Sequence, residues 1–426
     1  MQKVLIISYF FPPCNLTSAN RIGSWEQYLP SNGYYPIVLT RNWTGKELTE
    51  EDRLQSSGQT LRVVQKENSE IHYLPYNSSL RDRFFIKGKS NKFFAILSKI
   101  LTVYHLIFQN FSLTAIPYNN IYFHAKSLLE KNQNLSKVII SGNLFEQFYF
   151  GYWLKKKFPR IEWIADYRDE WTSHHLYKNF NSKNEFLKKI ERNSELKWVK
   201  SAAQVQTVCP YFANRLEKLH NREVHLVPNG FGENFEKYLN QAPKSTSLSG
   251  PLKLLFSGTL YENQSLELFL KAIKSFSSNE LQISFVGSKF SSKQEKLLED
   301  LPSGLVTREA WIQKSEVFKR MEETDIFLMF PFQGMKGWPS SKLYDYLPFQ
   351  KPILLCPSDE DIIEEILKDC SLGLIVNHEE DLVDLLKDLI RKKNEYHPFL
   401  LDISRDKIEK YSRRNSINAL IRVLNS

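Results

Sequence analysis

The sequence predicts an α/β protein of two successive domains, each an open, mostly parallel sheet with helices between its strands. Three observations lead there. The chain has 426 residues, more than one ordinary hydrophobic core holds. Short apolar runs, such as V-L-I-I-S at 4–8 and D-I-F-L-M-F-P at 325–331, carry few polar residues, which marks strands buried on both faces. Finally, the strand–helix alternation pauses over a polar stretch at 232–251 and then begins again.

Composition narrows the class. Hydrophobic residues make up 42% and charged residues 25%, the balance of a water-soluble globular chain. The net charge of +9 is compatible with nucleic acid, an anionic membrane or phosphorylated ligands. Cys14, Cys209, Cys356 and Cys370 are far apart with no C-x-x-C, which argues against a zinc site or disulfide framework and fits a reducing compartment. Residues 1–14 lack the pattern of a signal peptide, and no uncharged apolar run is long enough for a transmembrane helix.

The first domain opens with the strand at 4–8, a loop at 9–20, a helix at 21–29 ended by Asn32 and Gly33, and a strand at 35–40. That order begins a βαβ unit. The loop lies at the first strand's carboxyl end, where open α/β sheets bind ligands. It lacks G-x-G-x-x-G, so no dinucleotide fingerprint is present, and its small residues lead to Arg21. Residues 81–111 differ in character. Six Arg/Lys and one Asp fall between Arg81 and Lys99, and Ser98, Lys99, Thr102 and His105 form a narrow polar stripe on an apolar helix at 93–108. This reads either as a helix lying in an anionic membrane interface or as a core helix. His124 reads as a helix surface residue. A strand at 138–141 and a helix at 146–158 precede the strand W-I-A-D-Y at 163–167. Asp166, Arg168, Asp169 and Glu170 crowd its end, as a ligand site or as a salt-bridge cluster. Strands at 203–208 and 224–227 flank a helix at 211–219, and the polar stretch 232–251 is the expected linker.

The second domain starts with K-L-L-F-S at 253–257 before Gly258 and Thr259, then a helix at 265–276 and a strand at 281–286 before Gly287. A helix at 291–301, a weaker strand at 305–311 and a helix at 315–324 follow. The strand at 325–331 then enters the stretch around which the chain is organised, G-M-K-G-W-P-S-S-K-L-Y-D-Y-L-P-F-Q-K-P-I-L-L at 334–355. Gly334 and Gly337 shape a loop, Ser340 and Ser341 stand at a helix start, and Lys342 falls in its first turn. Asp345 lies one turn deeper on the same side. Unpaired helix amides, two hydroxyls and a lysine suit a phosphate, and an acid beyond them suits two sugar hydroxyls. The same residues also read as an ordinary strand–loop–helix with Ser as its cap. Trp311 reads as cover for a nucleotide base or as a core tryptophan. A helix at 360–368, a strand at 374–376, a helix at 381–393 and a basic amphipathic helix at 404–424 close the chain.

Taken in order, these motifs resemble the family 4 glycosyltransferases, in particular a subgroup that builds bacterial surface polysaccharides. The likeness is carried by V-L-I-I-S-Y-F-F-P-P, W-I-A-D-Y-R-D-E-W, T-V-C-P-Y-F-A-N-R-L with V-H-L-V-P-N-G-F, L-L-F-S-G-T-L with I-S-F-V-G-S, and S-S-K-L-Y-D-Y-L-P-F-Q-K-P-I-L. It spans nearly the whole chain and is stronger in the second half. The resemblance implies the GT-B fold: two Rossmann-like, doubly wound α/β domains facing each other across a cleft. Residues 1–235 would bind the acceptor, 252–403 the nucleotide-sugar, and 404–426 would cross back to the first domain.

The implied activity is transfer of a sugar from a nucleotide-sugar donor to a glycan or lipid-linked acceptor, with retention of configuration, in capsule, exopolysaccharide or lipopolysaccharide synthesis. The family pattern makes Asp345 the ribose-binding acid. The donor site would comprise Gly258, Thr259, Gly287, Trp311, Gly334, Gly337, Ser340, Ser341, Lys342 and Asp345. Asp169, Arg168 and Lys342 are the catalytic candidates, and Arg21 and Asp166 the acceptor-binding ones. Gly337 stands where the family carries a second acid, and Thr259 and Gln264 stand near its diphosphate-binding Arg and Lys. Lys342 with the Ser340 and Ser341 amides would then hold the diphosphate. No D-x-D occurs in the nucleotide half, so neither a metal nor a cofactor is expected. The expected place is cytoplasmic, peripheral on the inner face of the plasma membrane through residues 81–111, without nucleic acid as a partner.

Two alternatives keep the fold. A sugar-nucleotide epimerase needs acid–base carboxylates near the sugar, and Gly337 supplies none. A catalytically degenerate partner in a polysaccharide-synthesis complex fits the missing Glu, Arg and Lys. A nucleic-acid binder is disfavoured, because the basic residues flank an apolar helix instead of lining an aromatic platform.

Overall fold

The computed structural model describes all residues except 15, 48, 143, 174–184, 242–249, 262, 311 and 396–402. The chain divides into two compact units, Met1–Pro228 with Ile417–Ser426, and Asn229–Ser416.

The first unit is built on β1 (Gln2–Ser8), β2 (Tyr34–Arg41), β3 (Arg62–Gln65), β4 (Glu70–Leu74), β5 (Lys137–Ser141), β6 (Glu162–Tyr167), β7 (Gln204–Thr207) and β8 (His225–Leu226). Their order is β3-β4-β2-β1-β5-β6-β7-β8, parallel throughout except for β3 against β4. Val4, Leu5, Ile6 and Ile7 are all fully buried, because helices cover both faces of the central strand. Each such side chain contributes about 1.5–3 kcal/mol of burial. Ile417, Leu420, Val423 and Leu424 join Val4, Ile6, Ile22 and Trp25 in one core. The helix Glu185–Val199 has no counterpart in the sequence reading. Its apolar residues are interrupted by the polar run 191–195, and part of its inner face is polar, with Glu191, Ser194 and Glu195 buried.

The second unit carries β9 (Leu252–Ser257), β10 (Leu281–Val286), β11 (Val306–Glu309), β12 (Ile326–Met329), β13 (Ile353–Leu355) and β14 (Gly373–Ile375). The order is β11-β10-β9-β12-β13-β14, all parallel. Successive residues serve opposite faces. Leu254, Phe256, Ile326, Leu328 and Leu354 fill one core, and Leu255, Phe327, Met329, Ile353 and Leu355 the other. Lys351 is buried and donates to the carbonyls of Met321, Glu322 and Thr324 at 2.6–3.1 Å, closing the carboxyl end of helix Lys314–Glu323.

Two sequence expectations change here. The supposed linker contains the helix Glu233–Leu239, whose Phe235, Tyr238 and Leu239 pack into the second core, so aromatic burial outweighs the polar composition. The single closing helix is instead two, Arg405–Glu409 and Arg413–Asn425. Between them Phe231 pairs with Ser412 as an isolated bridge, and a Cβ at Gly230 would stand 2.4 Å from the Tyr411 carbonyl. That close backbone approach stops the helix and requires glycine at 230. Among the described residues, no helix is long and apolar enough to cross a membrane.

Candidate functional site

In the second sheet β9 has β10 on one side and β12 on the other, so the strand order reverses beside β9. Ligands of doubly wound sheets bind at the carboxyl ends of strands at such a reversal. Gly258 follows β9 there with φ of +102°, and a Cβ would sit 3.0 Å from Lys342 Cε. The position therefore needs glycine twice over, for its backbone and for the lysine stem lying across it. The Gly258 N–H donates to the Val286 carbonyl at 2.7 Å, and its carbonyl accepts from Ser288 Oγ at 2.8 Å. Gly287, with φ of +71°, brings the end of β10 against Gly258.

Lys342 stands in the first turn of helix Ser341–Tyr346. Its ammonium lies 5.1 Å from the Phe256 ring centre and 5.6 Å from that of Tyr261. Among the described residues it has no hydrogen-bond or ion-pair partner. Burial pushes its pKa down to about 8, against the pull of Asp345, which favours the charged form. Asp345 is partly exposed three residues on, on the same side. The helix is fastened by Tyr346, whose hydroxyl accepts the Ser257 N–H at 2.8 Å and whose ring stacks on Phe327 at 4.4 Å. Tyr346 was not among the sequence candidates. Only the pairing of β9 with the β12 crossover brings the two together.

The loop before the helix takes its path from Gly334 and Gly337, both with positive φ. The Gly337 N–H donates to the Asp361 carboxylate, and Lys336 Nζ donates to the Asp359 and Glu360 carbonyls. Trp338 stacks on Phe332 at 4.5 Å. Ser340 is buried in extended backbone and its side chain does not cap the helix, whereas Ser341 is exposed. The first-turn amides of any helix lack an intrahelical acceptor. Thr259 is exposed. Gln264 is buried and donates to the Phe330 carbonyl at 2.6 Å, locking the loop after β9 to the one after β12. Trp311 lies outside the described residues.

In the first unit the charges at the end of β6 sort into three groups. Asp166 is fully buried and accepts from Arg21 at 2.8 and 3.2 Å, from Ser141 Oγ at 2.8 Å and from Gln206 Nε2 at 2.9 Å. Arg21 also donates to the Val227 carbonyl at 2.9 Å and lies over Trp25. Both charges are saturated inside the unit, so we assign the pair to holding helix Thr17–Tyr28 on the sheet instead of to acceptor contact. Arg168 and Asp169 pair with each other at 2.8 Å, with the Asp169 side chain 40% exposed. Glu170 is buried on Arg215 at 2.7 Å, and burial raises its pKa. Trp171 stacks on Phe145 and Trp198 and donates to Glu191, while Thr172 donates to Glu195, so the strand's exit is pinned to helix Glu185–Val199. His124 is half-buried against His72, with ring nitrogens 2.8 Å apart.

No protein-family model matches the chain, and no curated protein matches its sequence. Solved structures do match over the full length. Sucrose-phosphate synthase from Thermosynechococcus elongatus superimposes with a TM-score of 0.62 at 11% identity, covering 100% of this chain and 99% of that one. The trehalose-6-phosphate synthase OtsA gives 0.58 at 12% identity, covering 100% and 99%. HepE from Anabaena, in complex with UDP, gives 0.57 at 8% identity, covering 100% of both chains. Likeness at these identities shows the fold: two parallel-sheet, Rossmann-like domains of the GT-B class.

Proposed function

We propose that this chain is a glycosyltransferase that binds a nucleotide-sugar donor on its second unit. One observation carries the reading: a partly buried lysine, with no hydrogen-bond or ion-pair partner among the described residues, crosses a left-handed glycine at the strand-order reversal of a doubly wound sheet. A desolvated cation without a hydrogen-bonded or ion-paired partner is costly, Asp345 offsets only part of that cost, and an anion supplied by a ligand would relieve more of it. Beside it, Asp345 suits ribose hydroxyls. A structural neighbour's complex with UDP supports a nucleoside diphosphate as the bound group.

In the reaction, the bond from the sugar's anomeric carbon to the diphosphate oxygen breaks. An acceptor hydroxyl oxygen bonds to that carbon, and its proton leaves with the diphosphate. Lys342 and the first amides of its helix would steady the charge gathering on the leaving diphosphate, without a metal. We further propose retention of configuration and a glycan or lipid-linked acceptor in surface-polysaccharide synthesis on the cytoplasmic side. These rest on the sequence resemblance. Asp169 and Arg168, the partly exposed pair at the end of β6, are the proposed acceptor-side groups.

The test is turnover of UDP-, GDP- and TDP-sugars by the purified full chain. Wild type should release nucleoside diphosphate, and Lys342→Ala should lower that rate tenfold to a hundredfold, the loss of about 1.5–3 kcal/mol for a charge-assisted hydrogen bond. Asp169→Asn should reduce transfer and leave nucleotide affinity unchanged. Nucleotide binding with no turnover of any donor would instead favour the degenerate partner protein.

A further inference from the structure

The hairpin of helices Leu80–Gly88 and Lys92–Phe108 turns its apolar side outward. Phe93, Ile96, Ile100, Val103, Tyr104 and Phe108 are 44–63% exposed. At helical spacing they form one continuous stripe about 22 Å long. The side bearing Ser98 and Thr102 is the packed one, while Lys99 stays exposed. Ser98 is buried, and Thr102 Oγ1 accepts from Arg81 Nε at 3.2 Å. Arg81 in turn binds Asp82, itself buried against the Tyr76 hydroxyl. A core helix has the opposite arrangement, so this face is made to meet something apolar.

Charge identifies what it meets. Between residues 80 and 111 the one acid is Asp82, which is buried. Arg83, Lys87, Lys92 and Lys99 are exposed, with Lys92 and Lys99 along one edge of the stripe, while Lys89 is paired with Glu51. A second copy docked by a two-fold axis would bring this basic rim against itself. An anionic lipid surface attracts the rim and accepts the apolar stripe in its acyl boundary.

We propose that this hairpin seats the first unit on an anionic bilayer, lying in the interface without crossing it. The inference stands apart from the donor-site reading. The test is cosedimentation of the full chain with vesicles, using pure phosphatidylcholine against mixtures with roughly one third phosphatidylglycerol, at low and high salt. Wild type should pellet with the anionic vesicles, lose most binding at high salt, and ignore the neutral ones. Ile96→Glu with Ile100→Glu should abolish binding. Lys87→Glu with Lys92→Glu and Lys99→Glu should weaken it at least a hundredfold, about fivefold per lysine lost. All five positions are exposed, and unchanged melting temperatures would show the variants folded. The proposal is overturned if wild type stays in the supernatant with anionic vesicles, or if both variants bind as wild type does. It is equally overturned if wild type is a dimer by light scattering that Ile96→Glu with Ile100→Glu splits without any vesicle binding.

Discussion

Lys342 carries a pH signature that separates a ligand-facing lysine from a structural one. Burial lowers its pKa from 10.5 to about 8 in the free protein. A bound diphosphate favours the ammonium, so its pKa must rise on binding. The sign follows. Below about pH 8 the lysine is already charged and affinity is at its full value. As pH rises through about 8 the free protein loses the proton that the complex needs, and binding must take one up. Affinity then falls by as much as tenfold per pH unit, or about 1.4 kcal/mol, up to the pKa of the complex. The terminal phosphate of UDP, with a pKa near 6, is ionised throughout this window, and the uracil N3–H, which ionises at the alkaline end, affects wild type and Lys342→Ala alike. The assay is calorimetric titration of UDP between pH 7 and 9.5, with Lys342→Ala beside wild type. Wild-type affinity at pH 9 should be about tenfold below that at pH 7, and the variant should show weak, flat binding. Parallel pH profiles for the two proteins would refute the reasoning, since the proton would then belong to another group.

Gly258→Ala forces an L-residue into φ of +102° and drives a Cβ to 3.0 Å from Lys342 Cε, so it should lower the melting temperature by roughly 2–4 °C per kcal/mol lost and cut donor turnover, as scanning calorimetry and a nucleotide-release assay would show. Tyr346→Phe strips the Ser257 N–H of its acceptor and should cost about 1–3 kcal/mol in denaturant unfolding, with a fall in turnover that nucleotide affinity follows, because the helix bearing Lys342 loses its fastening. Asp166→Asn breaks the buried pair with Arg21 and should destabilise the first unit by about 3–5 kcal/mol. A normally stable Asp166→Asn protein with only its acceptor KM changed would return this pair to the acceptor site.

What sequence makes legible is local. V-L-I-I at 4–7 and L-L-F at 254–256 declare buried strands, because only a strand covered on both faces has no polar side to show. The three-residue spacing of Lys342 and Asp345 places them on one helix face wherever that helix lies. The weak points were boundaries and polar helices. Glu233–Leu239 and Glu185–Val199 are held by partners distant in the chain, among them Phe349 for the first and Trp171 for the second. The hairpin's polar stripe was visible as a pattern, yet which side would be packed was not. Arg81, paired with buried Asp82, decides it by donating to Thr102 on that side of the helix.

By itself, the sequence determined the alternation of strand and helix, the two-domain plan and the spacing of Lys342 and Asp345, since these depend on side chains a few positions apart. Tertiary structure alone decided which charges are spent. Arg21 and Asp166 lie 145 positions apart and neutralise each other, while Lys342 is carried onto Gly258 with the acid Asp345 near it but no hydrogen-bond or ion-pair partner among the described residues. The physical reason is that a charge's fate depends on the nearest opposite charge and on the water around it. Both are set by which strand ends the sheet brings together.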